Sequence, residues 1–180
     1  MTVLHPSAID LGRRKFLKGA ASGLVVMTIL PSGMVVGEAF AQMPKATKPE
    51  TFASLVQMSR DCYPHDRIED RYYASAVEIL DEAARATPDQ LDLLENGIAA
   101  LDKAASDTHG KPYAKVESEE ERVALLKAIE TDPFFQKVRG NLVVGLYNQK
   151  ELWPMFGYEG SSYEKGGYIQ HGFDDIDWLA

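Results

Sequence analysis

The residues best suited to acid–base chemistry lie in one short stretch that begins at His65. Asp66, Glu69 and Asp70 follow this histidine within five residues. A histidine beside a carboxylate can act as a general base, because its ordinary pKa lies close to neutral pH. Short polar residues after a proline more commonly cap a helix or bond to the backbone. The sequence favours this structural interpretation, in which Asp66 caps the next helix and His65 bonds to the backbone. We therefore predict no catalytic residue in this chain.

The cluster Asp174, Asp175 and Asp177 contains the oxygen ligands that calcium prefers, but it lacks the ligand spacing of a calcium-binding loop. We interpret it as an acidic turn that faces solvent or a partner. Cys62 is the only cysteine, so this chain can form no internal disulfide and cannot hold an iron–sulfur cluster alone. We expect Cys62 to be a small buried apolar residue, with a reactive or intermolecular thiol as the alternative.

Motifs that bind nucleotides or activate a serine nucleophile are also absent from the sequence. No glycine-rich loop joins a strand to a helix, and no Gly-x-Ser-x-Gly elbow occurs. The sequence therefore predicts that this chain binds no cofactor and no metal.

The first 41 residues have the layout of a cleavable export signal. A basic start is followed by an apolar run over 19–30, which is shorter than the roughly 20 residues that a membrane span needs. Ala39 and Ala41 form the small-x-small pattern of a cleavage site. We expect residues 42–48 to be a linker after the cleavage point. An N-terminal membrane anchor that is never cut is the alternative interpretation.

Two adjacent arginines indicate the export route. Arg13, Arg14, Phe16 and Leu17 match the twin-arginine pattern, although Gly12 stands where Ser or Thr is usual. This route carries chains that have already folded, so the sequence predicts a protein that is assembled before export and works in the periplasm. The formal net charge of the whole chain is −8, which disfavours nucleic acid and anionic lipid surfaces as partners.

Apolar residues at helical spacing predict five helices over residues 42–150. Prolines, capping boxes and a terminal glycine mark their ends. We expect the helices to begin near Pro49, Asp70, Pro88, Ser118 and Pro133, with capping boxes at Thr87 with Gln90 and at Ser118 with Glu121. Gly145 in the fifth helix is expected to allow the close approach of a neighbouring helix. No segment shows sustained strand alternation, so the predicted fold is all-α, a compact bundle of about five helices.

Residues 151–180 have a different composition. They contain both tryptophans, five further aromatic residues and five glycines. Repeated glycine opposes a long helix, and large aromatic residues are rare in disordered segments. We predict an extended aromatic, glycine-rich arm that contacts a partner through Trp153, Phe156, Tyr158, Tyr168, Phe173 and Trp178. The alternative is that Trp153 and Phe156 only cover the core of their own domain.

The C-terminal half of the chain resembles a known family. The segments Phe134-Phe135-x-x-Val138-Arg139, Gly145-Leu146-Tyr147 and Phe156-Gly157-Tyr158-Glu159-Gly160, together with Trp153, are similar to those of the gluconate 2-dehydrogenase subunit 3 family. Phe156 stands where the family has leucine. The resemblance covers residues 134–178 well and is weaker over the preceding helices.

This resemblance implies a helical, exported small subunit without chemistry of its own. Such subunits accompany a large flavoprotein of the glucose–methanol–choline oxidoreductase type, which binds FAD and oxidises a sugar or a sugar acid. A cytochrome c subunit, which contains haem, often accepts the electrons. The large subunit can lack an export signal and travel with the small subunit. An independent small enzyme that uses the His65 region and a periplasmic binding module are the other hypotheses that the sequence leaves open.

Overall fold

The computed structural model describes residues 44–169. Several sequence-predicted features lie outside this range: the export signal over 1–41, with Arg13, Arg14, Phe16, Leu17, Ala39 and Ala41, and, at the other end, Phe173, Trp178 and the acidic cluster at 174–177.

Helices account for all the regular structure between residues 44 and 169, which confirms the all-α prediction. The five α-helices are α1 (Pro49–Cys62), α2 (Asp70–Ala86), α3 (Pro88–His109), α4 (Glu119–Ala128) and α5 (Pro133–Gly145). Three 3-10 helices accompany them, at Tyr113–Lys115, Lys150–Phe156 and Ser162–Lys165. None of the helices in this range is both long enough and apolar enough to cross a bilayer.

Helix α1 lies at the centre of the bundle and contacts each of the other four α-helices. Its apolar residues Phe52, Leu55 and Met58 are almost completely buried. Polar residues beside them on the same side of the helix, including Thr51 and Ser59, are buried as well. The Ser59 hydroxyl donates to the carbonyl of Leu55 at 2.7 Å, so its burial leaves no unpaired donor. The central position of α1 explains why polar residues are buried on it beside apolar ones.

Glycine residues allow two close helix contacts. A Cβ added at Gly145 would lie 3.3 Å from the Cβ of Ala76, which confirms the predicted close approach, here between α5 and α2. The Asn141 amide also donates to the carbonyl of Ala76 at 2.8 Å. A Cβ at Gly97 would lie 2.2 Å from the ring of Phe134, so α3 needs glycine there to accommodate α5.

The predicted helix ends agree with the structure, but one predicted cap does not. The Ser118 hydroxyl accepts from the backbone N–H of Glu121, which confirms the cap of α4. Gly110 ends α3 in the left-handed conformation, with φ of 71°. The Thr87 side chain makes no capping hydrogen bond, so the predicted capping box with Gln90 is wrong. Thr87 is the single residue between two helices, and its backbone at φ −135°, ψ 98° ends α2 and begins α3 at once.

The segment that precedes α1 is the described part of the predicted linker over 42–48. It is bound to the bundle, so its interpretation as a linker is wrong. Backbone N–H groups of Lys45, Ala46 and Thr47 all donate to the carboxylate of Asp81 in α2. The N–H of Lys48 donates to Glu95 in α3 at 2.7 Å. A free linker would leave these donors to water, whereas here two carboxylates from different helices accept them.

Candidate functional site

Side chains from three parts of the chain form an aromatic cluster at the end of α5, made of Tyr63, His65, Tyr147 and Phe156. The ring of Tyr147 lies at its centre, with ring-centroid distances of 5.7 Å to Tyr63, 5.7 Å to His65 and 5.5 Å to Phe156. These contacts are edge-to-face, a favourable geometry for aromatic pairs. The cluster connects the corner before α2 to the segment that follows α5.

The sequence predicts that His65 bonds to the backbone, which is wrong: its ring bonds to a side chain in this cluster. Its Nε2 atom and the Tyr147 hydroxyl are 2.7 Å apart. Burial and, to a smaller extent, the nearby Tyr63 raise the pKa of Tyr147, so its phenol stays protonated at neutral pH. This hydroxyl can therefore donate to an unprotonated His65 nitrogen or accept from a protonated one.

The carboxylates near His65 in the sequence have other roles in the fold. Asp66 is exposed and does not cap α2, because the residue at the N-cap is Glu69. Glu69 contacts Arg71, and Asp70 pairs with Arg60 at 2.8 Å. The general-base interpretation paired His65 with a carboxylate, but its ring nitrogen Nε2 pairs with a tyrosine hydroxyl. The geometry therefore favours a structural role for His65.

Trp153 attaches the 3-10 helix Lys150–Phe156 to the bundle. Its Nε1–H donates to the carbonyl of Tyr147 at 3.0 Å, and its ring lies 5.1 Å from that of Tyr158. A Cβ at Gly160 would lie 3.5 Å from the Trp153 ring, so the chain passes close over this face. Neighbouring Leu152 is fully buried. Trp153 thus contributes to its own domain, whereas a contact with a partner stays a prediction.

The other predicted contact residues in the described range are more exposed. Phe156 is 47% exposed and Tyr158 is 52% exposed. The ring of Phe156 also contacts Tyr147, and the ring of Tyr158 contacts Trp153. Tyr168 lies further along the chain and is 71% exposed. The structure therefore brings Trp153, Phe156 and Tyr158 together at one end of α5 and places Tyr168 at the surface.

One buried polar site in the described part of the chain was not identified from the sequence. Asp81 is completely buried in α2, and its carboxylate accepts from three consecutive backbone N–H groups and from the Thr47 hydroxyl at 2.7 Å. Burial alone would raise its pKa, but these hydrogen bonds outweigh burial and hold the pKa below its ordinary value. The available signal was an aspartate next to Leu80, on the apolar face of an amphipathic helix.

A second buried carboxylate, Asp61, joins three segments of the bundle. Arg122 in α4 donates to it through Nε at 2.8 Å and through Nη2 at 2.9 Å. The hydroxyl of Tyr113 donates to the same carboxylate at 2.5 Å. Burial and the adjacent Asp61 charge raise the pKa of Tyr113 far above its ordinary value. The Gln57 amide also donates to Asp61, at 3.1 Å, so each carboxylate oxygen accepts two hydrogen bonds within the fold.

Cys62 was expected to be buried; it is half-buried and packs against the core, and its thiol is poorly suited to react. Burial, with the adjacent Asp61 charge, raises the pKa of Cys62 to about 12. The reactive thiolate is therefore scarce at neutral pH. Between residues 44 and 169, no three potential metal ligands lie close enough together to hold an ion.

The comparisons with known proteins agree with the architecture. The model of a family described as gluconate 2-dehydrogenase subunit 3 matches residues 28–160 of the chain. The chain belongs to this family. The family name denotes one subunit of a multi-subunit dehydrogenase, so membership makes this chain a small dehydrogenase subunit. The match confirms the resemblance drawn from the C-terminal motifs. No curated protein and no solved structure matches the chain.

Proposed function

We propose that this chain is the non-catalytic small subunit of a periplasmic, FAD-dependent sugar or sugar-acid dehydrogenase. It stabilises the large flavoprotein subunit and escorts that subunit through twin-arginine export. Membership of the gluconate 2-dehydrogenase subunit 3 family is the observation that carries the proposal. FAD belongs to the large subunit, of the glucose–methanol–choline oxidoreductase type, and haem to a cytochrome c subunit where one is present.

The use of polar side chains in the bundle supports a non-catalytic role. Asp61 and Asp81 both accept several hydrogen bonds from the chain itself, and His65 is paired with Tyr147. A catalytic acid or base needs access to a substrate, and these groups are committed to internal partners. Among the described residues, every buried side-chain polar atom has a hydrogen-bond partner. These interactions position helices and connectors.

The C-terminal aromatic residues are the proposed contacts with the large subunit. Trp153, Phe156, Tyr158, Tyr168, Phe173 and Trp178 are its predicted anchors. Trp and Tyr are enriched among residues that contribute most to binding energy, because large rings bury much apolar area. The exposed fractions of Phe156, Tyr158 and Tyr168 leave surface for such a contact. The ordering of an arm on binding costs entropy, which buried aromatic surface can offset.

Affinity purification from the periplasm tests the proposal. The chain is expressed in its own host with a C-terminal tag, and the purified material is examined for other subunits and for flavin absorbance. We expect a large subunit that contains FAD to co-purify and the preparation to oxidise a sugar or sugar acid with an artificial electron acceptor. Recovery of the chain alone, without flavin absorbance, would contradict the proposal. The isolated chain, prepared separately, is expected to have no dehydrogenase activity.

A further inference from the structure

Gly140 in the middle of α5 has no packing role within the described part of the chain. A Cβ added there would meet no atom within 4 Å, whereas the Cβ positions of Gly97 and Gly145 meet other helices. Its φ does not lie in the left-handed region. Glycine inside a helix is destabilising relative to alanine. The fold of this subunit alone therefore gives no reason for glycine at this position.

Exposed valines accompany this glycine. Val143 and Val144 are 55% and 63% exposed, although their apolar side chains would favour burial. Residues three and four positions apart share one helix face, so Gly140, Val143 and Val144 form a single outward stripe. We call these three residues the α5 stripe. β-Branched residues have lower helix propensity than alanine or leucine, so exposed valines do not favour the isolated helix.

Two cations border the stripe. Helical geometry places Lys137 on one side of Gly140 and Arg139 on the other. Neither has a carboxylate partner within ion-pair distance among residues 44–169, although many other lysines and arginines in this acidic protein do. An apolar surface with a free cation on each side is complementary to an apolar segment with acidic residues at its edges.

The stripe is continuous with the aromatic cluster. Val143 and Val144 lie one turn before Tyr147, and the backbone bond from Asn148 to Val144 continues the helical path beyond Gly145. Tyr147 in turn contacts Phe156, one of the proposed anchors. The α5 stripe therefore extends the proposed contact surface from the C-terminal arm onto the bundle.

We propose that the α5 stripe is a docking surface for the large flavoprotein subunit, which contributes an apolar helix flanked by acidic residues. The partner helix passes close over Gly140, where the missing side chain leaves room for its backbone, and its acidic residues pair with Lys137 and Arg139. This inference rests on the proposed function and assigns part of the subunit interface to α5.

The test uses variants whose effects on folding and on binding have different signs. Gly140→Leu fills empty space in the isolated subunit and removes a helix-destabilising glycine, so its melting temperature is expected to stay unchanged or to rise. The same side chain would block a closely packed helix. We expect the affinity for the purified, FAD-loaded large subunit to fall at least tenfold. Val144→Asp is expected to weaken binding similarly, and Ile79→Asp, at an exposed apolar position on α2, serves as the matched control.

The outcomes separate this inference from the proposed function. If the unmodified chain binds the large subunit and both stripe variants bind equally well, the α5 surface is wrong and the proposed function stands. If the unmodified chain does not bind, the proposed function itself is contradicted. A concentration-dependent dimer of the isolated chain that both variants abolish would assign the stripe to a second copy. Protection of α5 from hydrogen exchange that is lost when residues 170–180 are removed would assign it to the chain's own C-terminus. Either result would overturn the proposal.

Discussion

At the residue scale, a few buried carboxylates connect segments that are distant in sequence. Asp81 accepts hydrogen bonds from four donor groups in residues 45–47 and thereby attaches the chain before α1 to α2. Asp61 connects α1 to α4 through Arg122 and to the intervening connector through Tyr113. Hydrogen bonds to charged groups are stronger than those between neutral groups, so these two residues define much of the non-helical chain path.

Asp81→Asn tests the first of these carboxylates. An amide oxygen accepts less strongly than a carboxylate, and the amide N–H groups oppose the surrounding donors, so we expect a loss of about 2–3 kcal/mol at pH 7. The native pKa of Asp81 is lowered, so its stabilising contribution is present above the unfolded value near pH 3.9 and is lost as the pH falls through the lower native value. Urea unfolding at several pH values should show the difference between variant and parent shrinking in acid.

Glu78→Gln is the matched control for this prediction. Glu78 lies one turn earlier on the same helix and forms a partly exposed ion pair with Lys45 at 3.3 Å. Exposed pairs contribute at most about 1 kcal/mol, so the control should remain close to the parent protein. Stability curves for Asp81→Asn and the parent that stay parallel down to pH 2–3 would contradict the role assigned to Asp81.

Arg122→Met tests the second carboxylate. This change leaves the Asp61 charge buried without its cation, and breaking a buried ion pair from one side costs about 3–5 kcal/mol. The double variant Asp61→Leu/Arg122→Met removes both charges and should recover part of that loss, although the buried Tyr113 hydroxyl then lacks its acceptor. The free energies of unfolding of the parent, both single variants and the double variant complete the cycle. Additive losses would show that the two side chains do not interact as the structure indicates.

At the element scale, helix ends were predictable from local chemistry, whereas helix neighbours were not. Pro49, Pro88 and Pro133 begin helices, and Gly110 ends one, because these residues restrict or permit particular backbone angles. The central position of α1 depends on which faces the other helices cover, and no local signal specifies that. The missing side-chain cap at Thr87 has the same origin, since the angles of this residue must satisfy two helices.

Two alanine substitutions compare a cap that forms with one that does not. Ser118→Ala removes the hydroxyl that accepts from the Glu121 N–H, and the loss of such a cap typically costs about 1 kcal/mol. Thr87→Ala removes no capping hydrogen bond and should cost much less. Thermal unfolding of the two variants under the same conditions makes the comparison. An equal or larger loss for Thr87→Ala would contradict the cap assignments.

In the candidate site, too, some features could be predicted from the sequence and others could not. Aromatic residues concentrated after residue 150 indicated a contact surface, and the structure brings three of them to the end of α5. The pairing of His65 with Tyr147 spans 82 residues, and the free space at Gly140 depends on what α5 leaves uncovered. Neither could be predicted from local sequence, because both depend on tertiary packing. The corner around His65 was correctly singled out as polar, but its partner was not foreseen.

At the scale of the whole molecule, we propose a subunit that contributes a docking surface and an export signal to a catalytic partner. Replacing Arg13 and Arg14 with lysine should keep both this chain and the large flavoprotein in the cytoplasm, because the proposed export signal serves both subunits. Immunoblots of cytoplasmic and periplasmic fractions measure this. A variant with lysine at two arginines of the folded bundle, Arg67 and Arg85, is the control. Continued appearance of the large subunit in the periplasm would contradict escort.

Reconstitution of the complex tests the central claim most directly. The large subunit is purified with its FAD, and its thermal unfolding is followed by flavin fluorescence while this chain is added in increasing amounts. A ligand that binds only the folded state raises its stability in proportion to the logarithm of concentration above Kd. We predict a saturable rise in the melting temperature of the flavoprotein, with no dehydrogenase activity from this chain alone. An unchanged melting temperature at saturating concentrations of this chain would contradict the account.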